Sequence, residues 1–345
     1  MKHIQTLQGL KEVLQAGFDD NEALLEQYGQ THITQLKAYL LETNRSIDEV
    51  GCPLGRWKSL DASGWYINHG SQSPNTLFLD TTRERVWILY TVLDATEADA
   101  VTDKWIRNLQ GLDRCWLSRN HLLHYDAKES WQQRGLGLKF SDGLASDEKT
   151  GYFSLKAWYG ATEKVHGLAG VLETARENFA IYSSRWQKLK EDSVTLAVEW
   201  YSSGKVTVNK AIDLDEVMLS ISDMANRYED ALVEATTLRD ESLGAFELNF
   251  TQNIDLEAFS KAVSMGKGRM NLWLIETETE PDFRRFKGVD LHTWDRVFLD
   301  VGSDFAYLTV PGKGCVNAAP RIATIQGEDN AGRTSIFFDG VEVFD

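Results

Sequence analysis

Between Val194 and Leu232 the hydrophobic period changes from that of a strand to that of a helix, and this change constrains the fold class most. Val194–Tyr201 and Lys205–Lys210 are strand-like runs separated by Ser202-Ser203-Gly204, the pattern of a hairpin. Directly afterwards Leu214, Val217, Met218, Ile221, Ala225, Tyr228 and Leu232 recur every three or four residues, with Asp213 at the N-cap position. Such a helix has one apolar stripe and must bury it on something. A hairpin that leads straight into it predicts an α+β protein, with mostly antiparallel sheets packed with amphipathic helices.

The flanking regions divide the chain into residues 1–62, 63–148 and 149–345. In the first, Leu7, Leu10, Val13 and Leu14 have helical spacing, as do Ile33, Leu36 and Leu40 behind a Thr31 cap. Ser46 and Glu49 stand at capping-box spacing for a short third helix. This region is expected to be helical. From Trp65 strands are expected, at 76–80 and 85–93, then a helix over 96–109 and a strand over 114–118. Residues 128–148 are polar and glycine-rich and read as a loop. In the third region 152–158 reads as a strand and 165–182 as a helix. Further strands are expected over 270–276, 296–301, 305–310, 335–338 and 341–344, the last two joined by Asp339-Gly340, a strong hairpin-turn signal. Ile212-Asp213-Leu214-Asp215 and Ile254-Asp255-Leu256-Glu257 suggest a repeat with a period of 42 residues.

Net charge is −16, which argues against a general nucleic-acid binder while leaving room for a local basic groove. The acidity is concentrated: residues 211–257 carry 12 acids against Arg227 and Arg239. Read as a docking surface, this stretch offers Asp215, Glu216 and Asp223 to a basic protein partner. Cys52, Cys115 and Cys315 are three widely spaced cysteines, which suggests a reducing compartment without a disulfide framework. No apolar run approaches the roughly 20 residues of a membrane helix, so no membrane association and a cytoplasmic location are expected.

Residues 33–62 resemble the entry to a helix-turn-helix, with Arg56, Trp57 and Lys58 opening a recognition helix. Nucleic-acid binding is expected only through this segment. Trp186 to Leu196, then Trp200 to Val208, then the helix that runs to Leu232, resemble the strand–hairpin–helix unit of the TATA-binding-protein family. That resemblance implies a curved sheet crossed by a helix. Asp300-Val-Gly302-Ser303 resembles the phosphate-binding hairpin of the actin and sugar-kinase group.

His121, His124 and Asp126 are spaced as metal-ligand candidates, and His292, Asp295, Asp300 and Asp304 form a looser group beside Asp290. Cys315 lies in a glycine-rich segment beside Lys313, whose cation favours a thiolate, and His292 is a candidate base. There is no Walker A loop, dinucleotide fingerprint or Gly-x-Ser-x-Gly elbow, and no cofactor is implied. The expected function is that of a non-catalytic binding or regulatory protein, such as a subunit of a larger assembly. A metal- or cysteine-dependent hydrolase and a DNA-binding regulator are the alternatives. A histidine beside Cys315 favours the hydrolase, and a large exposed apolar patch favours the binding protein.

Overall fold

The computed structural model describes residues 4–19, 36–61, 63–69, 76–123, 131–141, 152–158, 174, 179–191, 193–242, 244–264, 269–330 and 332–344. In chain order its elements begin with α1 (Leu7–Asp19), β1 (Lys37–Thr43), β2 (Arg56–Ser59), β3 (Trp65–His69), β4 (Leu77–Asp80), β5 (Val86–Thr91), α2 (Ala95–Asn108) and β6 (Leu112–Arg114). There follow α3 (Arg119–Leu123), β7 (Trp131–Ser141), β8 (Tyr152–Trp158), β9 (Ile181–Lys190), β10 (Ser193–Tyr201), β11 (Lys205–Ala211) and α4 (Leu214–Glu241). The rest are β12 (Phe246–Phe250), α5 (Leu256–Ser264), β13 (Leu272–Glu280), β14 (Phe283–Asp290), β15 (Arg296–Gly302), β16 (Phe305–Thr309), α6 (Ala318–Asn330), β17 (Thr334–Phe338) and β18 (Val341–Glu342). The protein is a mixed α+β protein in which sheet dominates. It divides into two compact units, one comprising Met1–Cys115, Tyr125–Gln133 and Arg185–Glu229, the other Trp116–His124, Arg134–Ser184 and Asp230–Asp345.

In the first unit the strands run in the order β2-β3-β4-β5-β1-β11-β10-β9, with β6 also on β1. The pairings from β2 through β10 are antiparallel. Every residue of β1, β4 and β5 is buried. Such strands carry apolar side chains on both faces and lose the alternation of a half-exposed strand. Tyr39, Leu41, Leu77, Leu79, Trp87 and Leu89 form one core with Ala98 and Trp105 of α2. Asp94 caps that helix by accepting from the N–H groups of Thr96 and Glu97. The polar side of α4 grips the β4–β5 turn: Arg83 donates to Asn226 at 2.6 Å, and Glu229 accepts from the N–H groups of Arg85 and Val86.

The hairpin and helix expected over residues 194–232 are present. Gly204 closes the β10–β11 turn at φ +73°, and a Cβ there would lie 2.5 Å from the carbonyl oxygen of Cys115. The Asp213 carboxylate caps α4 through the N–H of Asp215. The short helix after Ser46 is a single 3₁₀ turn, Ile47–Glu49, and the Glu49 carboxylate accepts from Ser46 N–H.

The helix-turn-helix is not formed. Residues 37–43 are an inner strand and Arg56–Ser59 a strand at the sheet edge, where Trp57 meets the ring of Trp105 at 5.6 Å. Thr31 and Ile33 lie outside the described residues, as do nearly all of 165–178. Within the expected loop at 128–148, residues 131–141 are strand β7.

In the second unit β7 pairs with β8, and a separate sheet runs β13-β14-β15-β16-β12-β17-β18. Its strands alternate. Leu272, Leu274, Phe286, Val297, Leu299, Leu308, Leu248 and Phe338 are buried, and helices pack on the sheet, α5 on β13 and β14, α6 on β12 and β17. The closing hairpin turns at Asp339 and Gly340, with φ +49° and +81°, the pair of left-handed residues a two-residue turn requires. The suspected repeat is visible in the caps, since Asp255 caps α5 as Asp213 caps α4. Beyond the caps the two differ: α4 has 28 residues and follows a strand of the first unit, while α5 has 9 and follows a strand of the second.

Candidate functional site

Helix α6 floors a cavity of the second unit. Its sequence, Ala-Ala-Pro-Arg-Ile-Ala-Thr-Ile-Gln-Gly-Glu-Asp-Asn, is small-residue-rich, and it is buried from Ala318 to Ala323 and from Ile325 to Glu328. Pro320, Ala323, Thr324, Gly327 and Glu328 fall at helical spacing on one face and floor an open pocket. The walls come from Leu117–Asn120 around the start of α3, Phe179–Ile181 at the start of β9, and Gly332–Ile336 and Glu342–Phe344 at the chain's end. Small side chains on the floor leave the space; Phe179, Ile181, Ile336, Val343 and Phe344 make its apolar walls. Ser118, Asn120, Thr324, Thr334 and Ser335 bring neutral polar groups to it.

The pocket's acids are already matched. Glu328 accepts from Lys139 at 3.1 Å and Arg269 at 2.6 Å, and Glu342 faces Arg333 at 3.8 Å. The cavity therefore offers apolar walls and neutral hydrogen-bonding groups more than net charge.

The adjacent face of α6 carries Arg321, fully buried. Its guanidinium donates to Asp290 Oδ1 at 2.6 Å, and the same oxygen accepts from His292 N–H at 3.0 Å. A ring nitrogen of His292 and Cys315 Sγ lie within 4.8 Å of each other. The fold thus sets Cys315 beside a histidine, although no histidine follows it in the sequence. Asp290, His292 and Cys315 are all buried, and none of them lines the pocket. The Arg321–Asp290 pair joins residues 31 apart, which no local pattern in the sequence links. The one signal was a lone arginine inside the apolar run Ala318-Ala-Pro-Arg-Ile-Ala.

The other sequence candidates are scattered. His121 is buried with Nδ1 2.8 Å from Ser118 Oγ, while His124 and Asp126 lie outside the described residues. Asp215 pairs with Lys11 at 2.5 Å and Glu216 with Lys188 at 2.7 Å; Asp223 is exposed. Asp300 is held by Arg285 at 2.9 and 3.1 Å. The turn after it joins β15 to β16, and its Ser303 and Asp304 carbonyls accept from Ile254 and Phe250 N–H groups, as in a structural hairpin.

Lys37, which a DNA-binding regulator would present on a basic face, is inside the first unit instead. Lys37 is buried and donates to the Leu93 carbonyl at 2.8 Å. Burial, and then the neighbouring Lys205, push its ammonium pKa down to about 8. Lys205 in turn holds Asp99, which accepts from Tyr39 Oη at 2.7 Å.

Together these features define an α+β protein with a pocket-bearing second unit. The family model for MJECL33-like proteins matches residues 1–327, and the chain belongs to that family. The uncharacterized protein MJECL33 of Methanocaldococcus jannaschii is 23% identical, over 83% of this chain and 82% of that protein. No solved structure matches.

Proposed function

We propose that this is a binding protein whose second unit takes up a small molecule with an apolar body and neutral hydrogen-bonding groups. The observation that carries the reading is the pocket on α6, with small residues on its floor, apolar walls and polar groups already in place. The Cys315–His292 neighbours give the hydrolase alternative less support than the pocket gives this one. A reacting thiol needs a substrate within reach, and both side chains are buried away from the cavity.

The test is thermal denaturation against a panel of small molecules, with Thr324→Trp as the variant that fills the cavity. A ligand at a hundred times its Kd stabilises by about 2.7 kcal/mol, enough to move the midpoint by several degrees. The shift is expected in the wild type and absent in a folded Thr324→Trp protein. An equal shift in both moves the site elsewhere, and chemical turnover of the ligand, seen by mass spectrometry, replaces the binding reading with an enzymatic one.

A further inference from the structure

The second sheet leaves one face open, and its charges are sorted along the strands. The registers define the rows of this face. Trp273, Val289 and Arg296 make the first, and Ile275, Lys287, Phe298 and Thr309 the second. Glu278, Arg285, Asp300, Tyr307 and Glu247 make the third, which runs on through Phe337 to Glu342. Glu280 and Phe283 open the fourth. The first two rows carry Lys287 and Arg296 and no acid. The last two carry every acid of the face. Arg285 takes up Glu278 and Asp300, and Arg333 faces Glu342. Among the described residues, Lys287 and Arg296 at one end and Glu247 and Glu280 at the other have no ion pair.

Large apolar side chains stand between these charges. Trp273, Ile275 and Phe298 of the cationic half are 53%, 62% and 44% exposed, and Tyr307 of the acidic half is 42% exposed. A contiguous apolar face of this kind marks an interaction surface. The sorted charges decide what covers it. A polyanion is repelled by one half and a polycation by the other. The fitting occupant carries the two charges in the opposite order, with apolar groups among them. A second copy of the same face, turned end for end by a two-fold axis across the strands, has that order by construction. The cationic half of each copy then lies over the acidic half of the other. Every complementary contact occurs twice, as two-fold symmetry requires.

We propose that the open face of this sheet joins two copies of the chain, sheet against sheet with the strands reversed. The inference is independent of the α6 pocket. Trp273, Ile275 and Phe298 form the apolar part of the contact. Lys287 and Arg296 of one copy meet the acidic half of the other, where Glu247 and Glu280 are unmatched.

The experiment is sedimentation velocity of the full chain from about 0.1 to 100 μM, a span that brackets a dimer of micromolar strength. Lys287→Glu with Arg296→Glu makes both halves of the face acidic, and Glu247→Lys with Glu280→Lys puts unmatched cations in both. Each variant alone dimerises about a hundredfold more weakly than the wild type, because like charges then meet. Mixed in equal amounts, the two variants form a heterodimer, which also shows that both are folded. The packing direction is read on the wild type itself, with isotope-labelled and unlabelled chains mixed and joined by a zero-length carbodiimide cross-linker. Links between chains run from Lys287 to Glu247 or Glu280. A wild type that stays monomeric at the highest concentration overturns the proposal. So does a dimer that neither pair of reversals weakens, or one whose links between chains miss the acidic half. Two folded variants that fail to associate on mixing overturn it as well.

Discussion

The two sheets use tryptophan in opposite ways. Trp87, on β5 of the first unit, is 3% exposed and belongs to the core under α2, whereas Trp273, on β13 of the second, is more than half exposed. The contrast extends to whole strands. β1, β4 and β5 are buried at every position, while β13 to β16 alternate between core and solvent. The first sheet's inner strands spend all their side chains on stability. The second sheet has side chains to spare on its exposed face.

The largest expected effect tests that contrast directly. Trp87→Ala should destabilise the first unit by about 3–5 kcal/mol, the cost of emptying a core aromatic site. Trp273→Ala should change stability by no more than about 0.5 kcal/mol, as for a surface substitution. Urea denaturation of both variants measures the difference. A large loss at Trp273 would show that the open face is a structural surface.

A smaller effect comes from Lys37, the buried lysine of β1. Its pKa is 10.5 in an unfolded chain and about 8 in the fold. Between those values the unfolded chain holds a proton that the folded chain has released, so stability should rise with pH from about 8 to 10.5. The lowered pKa works against folding below pH 8 and ceases to do so above 10.5. The full swing is at most about 3 kcal/mol. Lys37→Met should remove this part of the slope, measured as the difference between the two proteins' denaturation midpoints across that window. Parallel curves for both would mean that the ammonium is solvated in the fold.

The same contrast explains what could be read from the sequence. Val194–Tyr201, Lys205–Lys210, the helix from Leu214 and the Asp339-Gly340 turn were all legible, because each carries a period or a turn residue with a local cause. Lys37–Thr43 was misread as helical. A strand buried on both faces has no period of two, and Leu36 and Leu40 match helical spacing by coincidence. Helix α6 was not anticipated: buried almost all round, it lacks the one-sided stripe that marks a surface helix. The pocket it floors joins segments from residue 117 to residue 344, a juxtaposition that no local pattern announces. Lys287 and Arg296 look ordinary in sequence, and only the register sets them among Ile275, Phe298 and Trp273.

The smallest effect separates two readings of the acidic helix. Asp215 and Glu216 lie in the first turn of α4, where carboxylates favour the helix dipole, and each already meets a lysine of its own unit. Neutralising them as Asp215→Asn and Glu216→Gln should cost less than about 1 kcal/mol together, because both pairs are largely solvent-screened. Charge reversal to Lys should cost somewhat more, since it sets cations against the helix N-terminus. Asp223 is exposed and further along the helix, and Asp223→Lys should leave the urea midpoint unchanged. If all three reversals are silent in stability yet together abolish capture of a basic protein, the acids act as a docking face. If Asp215 and Glu216 alone matter, and only to stability, their charge serves the helix, and the second unit is left as the place to look for partners.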